Sequence, residues 1–368
     1  MDFSLYITEN DSGIFDELSL NYTNYETVAI GGHSDYVCPE VSSMNRDTAF
    51  QKFFIPLVYS LVFIVGCLGN GLVLLVLLKH HHLRSTTDIF LVHLAVADLL
   101  MLITFPFTVA EYSFGWIFGD FMCKSVGVFS RLNFLCSSLL LGCISVDRYM
   151  AIIHAVHAFR TRSGMAVYLS CFGVWILSFL LSIPNLFLLG TQNNGNLTEC
   201  TYSQKNFTDN SWWQANRFII HIVGFLCPLF IMGFCYAHIV TALYKSTRRE
   251  KKRAVRVAIV ITGVFFLCWT PYNMALFLDT LDILDWVQDC MLRMHLSTAI
   301  SVTEVLGSVH CCLNPLLYAF VGVKFRNDAM RVLQQAGCLS PRLLGKTLTP
   351  ERKSSIMDSE TGTVLSSF

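Results

Sequence analysis

Seven stretches of this chain run for 20 residues or more with almost no charge. Phe54–Leu78, Ser163–Gly190, Phe218–Tyr244 and Val257–Leu278 contain no Asp, Glu, Lys or Arg. Ile89–Ala110 contains only Asp98, Ser125–Val146 only Arg131, and Leu296–Val323 only Glu304. A helix needs about 20 apolar residues to cross a hydrocarbon core of about 30 Å. In that medium only a helix or a closed barrel satisfies its own backbone. The expected fold class is therefore an all-α membrane protein, a seven-transmembrane helix bundle. Composition agrees: 14% of residues are charged, against about 25% in soluble domains. No repeat of 20–50 residues is visible, which argues against a transporter built from duplicated halves.

Charge is sorted along the chain although the formal net charge is +0. Residues 1–53 carry nine acids against Arg46 and Lys52. With the N-terminus outside, the three inner loops hold twelve Lys and Arg and the three outer loops hold Lys124, Lys205, Arg217 and Arg293. Basic residues favour the cytoplasmic side, so this orientation is predicted, at the plasma membrane. The first residues lack a basic segment followed by an apolar core, and the first span is expected to direct insertion itself. Four glycosylation sequons, at Asn10, Asn21, Asn196 and Asn206, all fall on the outer side.

Nine of the 14 cysteines lie within spans and read as small apolar packing. Cys38, Cys123, Cys200 and Cys290 fall outside, where oxidation is possible, and admit three pairings. Cys123–Cys200 is favoured, tying span 3 to the second outer loop and leaving Cys38–Cys290 to tether the tail to span 7. Cys338 is a palmitoylation candidate or a plain exposed thiol.

Charge within a span costs at least ~2.5 kcal/mol on insertion scales and marks a functional candidate. Asp98, with Asn70, Asn133, Ser137 and Asn314, can line one polar core. It holds either a sodium ion, since hard cations take oxygen ligands, or a hydrogen-bonded network without an ion. No other cofactor or metal is expected. Glu304, about 15 Å from Asn314 at ~1.5 Å per residue, joins Glu111 and Asp279 as an acidic lining suited to a basic ligand. Glu111 and Asp279 read equally as a solvated rim. Prolines at 106, 184, 228, 271 and 315 can bend five of the spans. His80-His81-His82 lacks the partner acid and spacing of a zinc site, and no enzyme is expected.

In this order the chain carries Gly69-Asn70, "LAVAD" ending at Asp98, Cys123, Asp147-Arg148-Tyr149, Trp175, Pro228 with Tyr236, "CWTP" at 268–271 and "NPLLY" at 314–318. So ordered, it resembles the rhodopsin-like G-protein-coupled receptors over residues 54–335. "TFP" at 104–106, "DRYMAIIHAVHA", "HCCLNPLLY", Glu304 and the Cys38/Cys290 pair resemble the chemokine receptor branch. The resemblance implies a basic CXC chemokine as ligand and a heterotrimeric G protein of the inhibitory class as partner. Tyr6, Tyr22, Tyr25 and Tyr36 of the acidic tail (1–53) would embrace the ligand's body, with sulfation open. Its flexible end would enter near Tyr59, Glu111, Asp279 and Glu304.

Asp147, Arg148, Tyr149, Tyr236, Trp269, Pro271, Asn314, Pro315 and Tyr318 would form the activation switch within the bundle, residues 54–323. Residues 324–335 suit an amphipathic helix on the membrane surface. The Ser/Thr-rich tail, 336–368, would serve receptor kinases and arrestin. Lys251 and its basic neighbours offer Arg148 no acid on span 6, so Asp147 and packing are expected to hold it. An atypical scavenging receptor without G-protein signalling and an ion-coupled transporter are the alternatives. Nothing points to nucleic acid.

Overall fold

The computed structural model describes residues 50–81, 86–154, 164–194, 197–202, 211–244, 249–284, 286, 290–321 and 323–335. Tyr6, Tyr22, Tyr25, Tyr36, Asn10, Asn21, Cys38, Asn196, Asn206 and Cys338 lie outside the described residues, as do the side chains of Lys251 and Cys290. The expected Cys38–Cys290 bridge therefore also falls outside them.

Among the described residues seven helices are long and apolar enough to cross a membrane: Gln51–Lys79, Thr86–Phe114, Gly119–Ile153, Met165–Leu188, Trp213–Tyr244, Val255–Ile283 and His295–Tyr318, hereafter spans 1 to 7. Most begin and end beyond the apolar runs. Span 3 has 35 residues, about 52 Å of helix at ~1.5 Å per residue. That exceeds a hydrocarbon core of about 30 Å, so Cys123 and Arg148 lie near opposite ends of one continuous rod. Span 3 is also the most enclosed: 61% of its most apolar 18-residue stretch is buried, against 28% for span 4 and 33% for span 1. Its Leu135, Cys136 and Leu140 share the main core with Ile239 of span 5 and Phe265 of span 6.

The outside of the bundle is apolar. Leu61, Leu68, Phe172, Phe179, Phe230 and Phe234 are all more than half exposed. Lipid solvates such side chains as well as a protein core does, so burial supplies little drive between the spans. Close packing and interior polar contacts must hold them instead. Trp175 of span 4, for example, donates from its indole to His93 of span 2 at 3.1 Å.

The prolines act in different ways. Span 2 ends one helix at Leu102 and starts another at Phe105, just before Pro106, with the Thr104 hydroxyl donating to Met101 O at 2.6 Å. Span 4 breaks similarly between Ser182 and Asn185, around Pro184. Pro228 follows a widened turn, Ile220–Leu226, while Pro271 and Pro315 lie inside continuous helices.

One feature departs from the sequence reading. Leu189 and Gly190 open a strand, β1 (Leu189–Asn194), which pairs antiparallel with β2 (Leu197–Tyr202). The helical reading had assigned them to span 4. The final helix, Val323–Gln335, agrees with the expected 324–335, and its Ala329 and Val332 pack with Val76 of span 1.

Gly69 and Asn70 explain how span 1 meets span 7. A Cβ on Gly69 would lie 2.8 Å from Pro315 Cβ. One residue on, Asn70 Nδ2 donates to Cys311 O at 2.8 Å and to Gly66 O at 3.0 Å. Gly71 has open space instead. Gly69→Val should therefore destabilise the bundle by about 1–3 kcal/mol, read as a lower melting temperature in detergent. Gly71→Ala should leave that temperature unchanged. Equal melting of the two variants would mean spans 1 and 7 do not cross at Gly69.

Candidate functional site

The polar residues within the spans gather at three levels. At the Cys123 end, a disulfide joins Cys123 to Cys200 of β2. The hairpin is further fixed by Cys200 N–H donating to Glu111 Oε1 at 3.1 Å, and by Thr191 N–H donating to Asp120 at 3.2 Å. Glu111 is thus a hairpin anchor as well as a rim acid. Asp279 pairs with Arg217 at 2.5 Å, and Arg217 lies 4.5 Å over the Trp213 ring. Tyr59 is buried at 4% exposure against Phe105, ring centroids 4.9 Å apart. Of the four residues expected around an inserted ligand, only Glu304 is a partly buried acid for which the described residues give no ion pair or side-chain hydrogen bond.

Midway along the bundle, Asp98 is wholly buried. Asn133 Nδ2 donates to its Oδ1 at 3.1 Å and Asn314 Nδ2 to its Oδ2 at 2.9 Å. Ser137 lies 3.5 Å from Asn133 Nδ2. These four predicted residues meet, whereas Asn70 turns to the backbone of span 7. His310 completes the group: its Nε2 is 3.5 Å from Asp98, and its Nδ1 is 3.2 Å from the indole nitrogen of Trp269. Trp269 in turn packs on Phe134 at 4.8 Å. Its ring reaches span 7 because position 307 is glycine, where a Cβ would sit 2.9 Å from the indole. A continuous polar path therefore runs from Trp269 through His310 to Asp98 and Asn314.

At the Arg148 end, Arg148 lies 3.7 Å from Asp147. Asp147 also accepts the Thr86 hydroxyl of span 2 at 3.0 Å. Tyr149 packs among His154, Phe234 and His238. Tyr236 shares a hydrogen bond with Thr262 of span 6 at 3.3 Å. Tyr318 is buried against Phe325 of the final helix, with its hydroxyl unbonded among the described residues. The two tyrosines expected to move on activation thus hold different partners, one across the bundle and one toward its edge.

Residues 69–318 match the model of the 7 transmembrane receptor (rhodopsin family). C-X-C chemokine receptor type 5 of Mus musculus is 45% identical over 367 residues, covering 98% of this chain and 97% of that receptor. The Homo sapiens receptor of that name is 45% identical over 365 residues, with the same coverage. C-X-C chemokine receptor type 3 of Capra hircus is 41% identical over 306 residues, covering 83% of this chain and 82% of that protein. The chain belongs to the C-X-C chemokine receptors, within the rhodopsin family.

Members of this family are receptors rather than enzymes, recognise chemokines and couple to G proteins. In this C-X-C chemokine receptor three contributors lie outside the expected set. His310 hides in "HCCLNP" as one more residue of an apolar run. Thr86 precedes the apolar run of span 2 and carries no charge. Arg131 stands out as the only charge in its run, and its Nη2 donates to Tyr202 of β2 at 3.0 Å.

Thr86→Val should remove one restraint on Asp147. A hydrogen bond to a charged, partly exposed group contributes about 1 kcal/mol, or about a fivefold shift in a two-state population. Ligand-independent nucleotide exchange should rise by about that factor. A basal rate equal to that of the unaltered chain would remove Thr86 from the restraint.

Proposed function

We propose that this chain is a plasma-membrane receptor with its N-terminus outside. It binds a basic CXC chemokine, of the kind recognised by type 5 receptors on B lymphocytes, and activates an inhibitory-class G protein in lymphocyte homing. The observation that carries this reading is the path Trp269–His310–Asp98–Asn314. It lies midway between a disulfide-braced mouth, on the side of Glu304, and the end where Arg148 is held. Twelve basic residues in the inner loops against four in the outer ones support the orientation, and 45% identity to the mouse and human type 5 receptors supports the ligand class.

An agonist shifts the bundle only by binding one arrangement better than the other. The acidic tail with Tyr6, Tyr22, Tyr25 and Tyr36 would attract the ligand's basic body, and its flexible end would reach Glu304. Pro271, two residues past Trp269, lets span 6 bend where that ligand bears on it. Arg148 would then leave Asp147 for the G protein. Phosphorylation by receptor kinases of the Ser/Thr-rich tail would add charge that arrestin recognises. Sodium fits the polar core: Asp98 offers a carboxylate, Ser137 a hydroxyl, and the buried amide oxygens of Asn133 and Asn314 have no hydrogen-bond partner. Such an ion would favour the arrangement in which these oxygens converge.

Membranes from cells expressing this chain should exchange nucleotide on an inhibitory-class G protein in response to members of a CXC chemokine panel. Arg148→Ala should abolish exchange while surface expression and chemokine binding persist. Binding without exchange in the unaltered chain would favour a scavenging receptor, and normal exchange by Arg148→Ala would displace Arg148 from the switch. Sodium should lower ligand-independent exchange, and Asp98→Asn should abolish that dependence. An unchanged sodium response in Asp98→Asn would place the ion elsewhere.

A further inference from the structure

His310 Nδ1 lies 2.6 Å from Gly307 O, one turn back on span 7. A carbonyl oxygen only accepts, so this contact assigns the ring proton to Nδ1. The indole nitrogen of Trp269 lies farther from the same atom, at 3.2 Å, and does not outweigh it. Nε2 then keeps its lone pair, 3.5 Å from a carboxylate oxygen of Asp98. A charge-assisted hydrogen bond draws N and O to about 2.7–2.9 Å, so a shared proton accounts poorly for that gap. Two electron-rich atoms face each other across a space the width of a cation's coordination shell.

A third donor atom borders the same space. Cys311 Sγ lies 3.7 Å from His310 Nε2. One ligand atom each from Asp98, His310 and Cys311 falls within 4.8 Å of the others, and all three residues are buried. Zinc binds N and O at about 2.0–2.2 Å and thiolate at about 2.3 Å in a tetrahedron, which sets neighbouring ligand atoms roughly 3.3–3.6 Å apart. The observed 3.5 and 3.7 Å need only a small contraction. The surroundings match as well. A metal-bound imidazole donates its other N–H to a carbonyl or carboxylate, and Gly307 O stands in that place. Asn133 and Asn314 orient the Asp98 carboxylate, while Asn70 holds the Cys311 carbonyl at 2.8 Å.

We infer that Asp98, His310 and Cys311 form a site for a divalent transition metal of the zinc class, with a fourth corner open to water. Its chemistry differs from that of a sodium site. A hard cation takes oxygens, whereas imidazole and thiolate select zinc-like ions. The Cys311 proton leaves as the thiolate binds, so the ion's two charges meet one carboxylate and one thiolate. Span 2 supplies one ligand and span 7 two, and the ion clasps the two helices together. Because Trp269 rests on His310, the clasp also steadies span 6 and opposes activation. Sequence alone gives no metal motif here, since His310 and Cys311 are neighbours in an apolar run.

The test titrates the purified full-length receptor with cobalt(II), a zinc surrogate whose spectrum reports its ligands. The unaltered receptor should show the near-ultraviolet charge-transfer band of a cobalt–thiolate bond and the visible bands of tetrahedral cobalt. Zinc should abolish both. Cys311→Ser should lose the thiolate band and bind zinc at least about a hundredfold more weakly. At about a hundred times its dissociation constant, zinc should raise the melting temperature of the unaltered receptor by about 5 °C and lower its ligand-independent exchange. Neither effect should survive in Cys311→Ser. His310→Gln, with the same readouts, decides the matter if Cys311→Ser does not fold. Identical cobalt spectra in the unaltered receptor and the variant would overturn the inference. So would a thiolate band that disappears on alkylation of the exposed thiols alone. Silence across the chemokine panel would overturn the receptor reading and leave the spectra and melting shift to decide this site by themselves.

Discussion

The buried carboxylate of Asp98 is the contact on which the rest of the bundle depends. With no exposure to solvent, an ion there is tolerated only if its surroundings satisfy it. Two other helices do so, through Asn133 from span 3 and His310 and Asn314 from span 7, and His310 passes the contact to Trp269 of a third, span 6. Apolar burial supplies little attraction between spans in lipid, so this group fixes which helices face inward. The same arrangement makes the bundle responsive, because any movement of Trp269 against His310 alters the support of a wholly buried carboxylate.

The two ends of the bundle are built for different tasks. At the Cys123 end, covalent and backbone bonds hold the hairpin: the disulfide, Cys200 to Glu111 and Thr191 to Asp120. At the Arg148 end the restraints include side-chain contacts such as Thr86 to Asp147 and Tyr236 to Thr262. Each such contact is worth about 1 kcal/mol, so several can exchange without unfolding the chain. Rigidity at the mouth and weak contacts at the opposite end let a small change in one place be read in the other.

The apolar runs made the seven spans legible, because period and length carry that signal directly. Asp98, Asn133, Ser137 and Asn314 were legible as a group because polar residues inside spans must meet something. Asn70 belonged to the same argument, yet it bonds to backbone at Cys311, a contact that residue type cannot announce. The β-hairpin was not legible, since Leu189 and Gly190 continue an apolar run and the Asn194-Gly195 turn signal sits between short polar strands. His310 and Thr86 were hidden for a related reason: their roles come from which neighbour the fold supplies. Glu111 and Asp279 read as rim acids, and their partners Cys200 N–H and Arg217 come from segments distant in sequence.

The unequal enclosure of the helices also bears on how this chain can change over time. Span 3 has few exposed positions and reaches both ends of the bundle, so nearly every substitution on it meets a neighbour. Span 4 is 28% buried and turns Tyr168, Leu169, Phe172, Ile176 and Phe179 outward. For those positions one apolar side chain serves as well as another. Sequence drift should therefore collect on span 4, leaving a helix whose outer face records the lipid around the receptor more than its ligand, while span 3 keeps the record of what the receptor does.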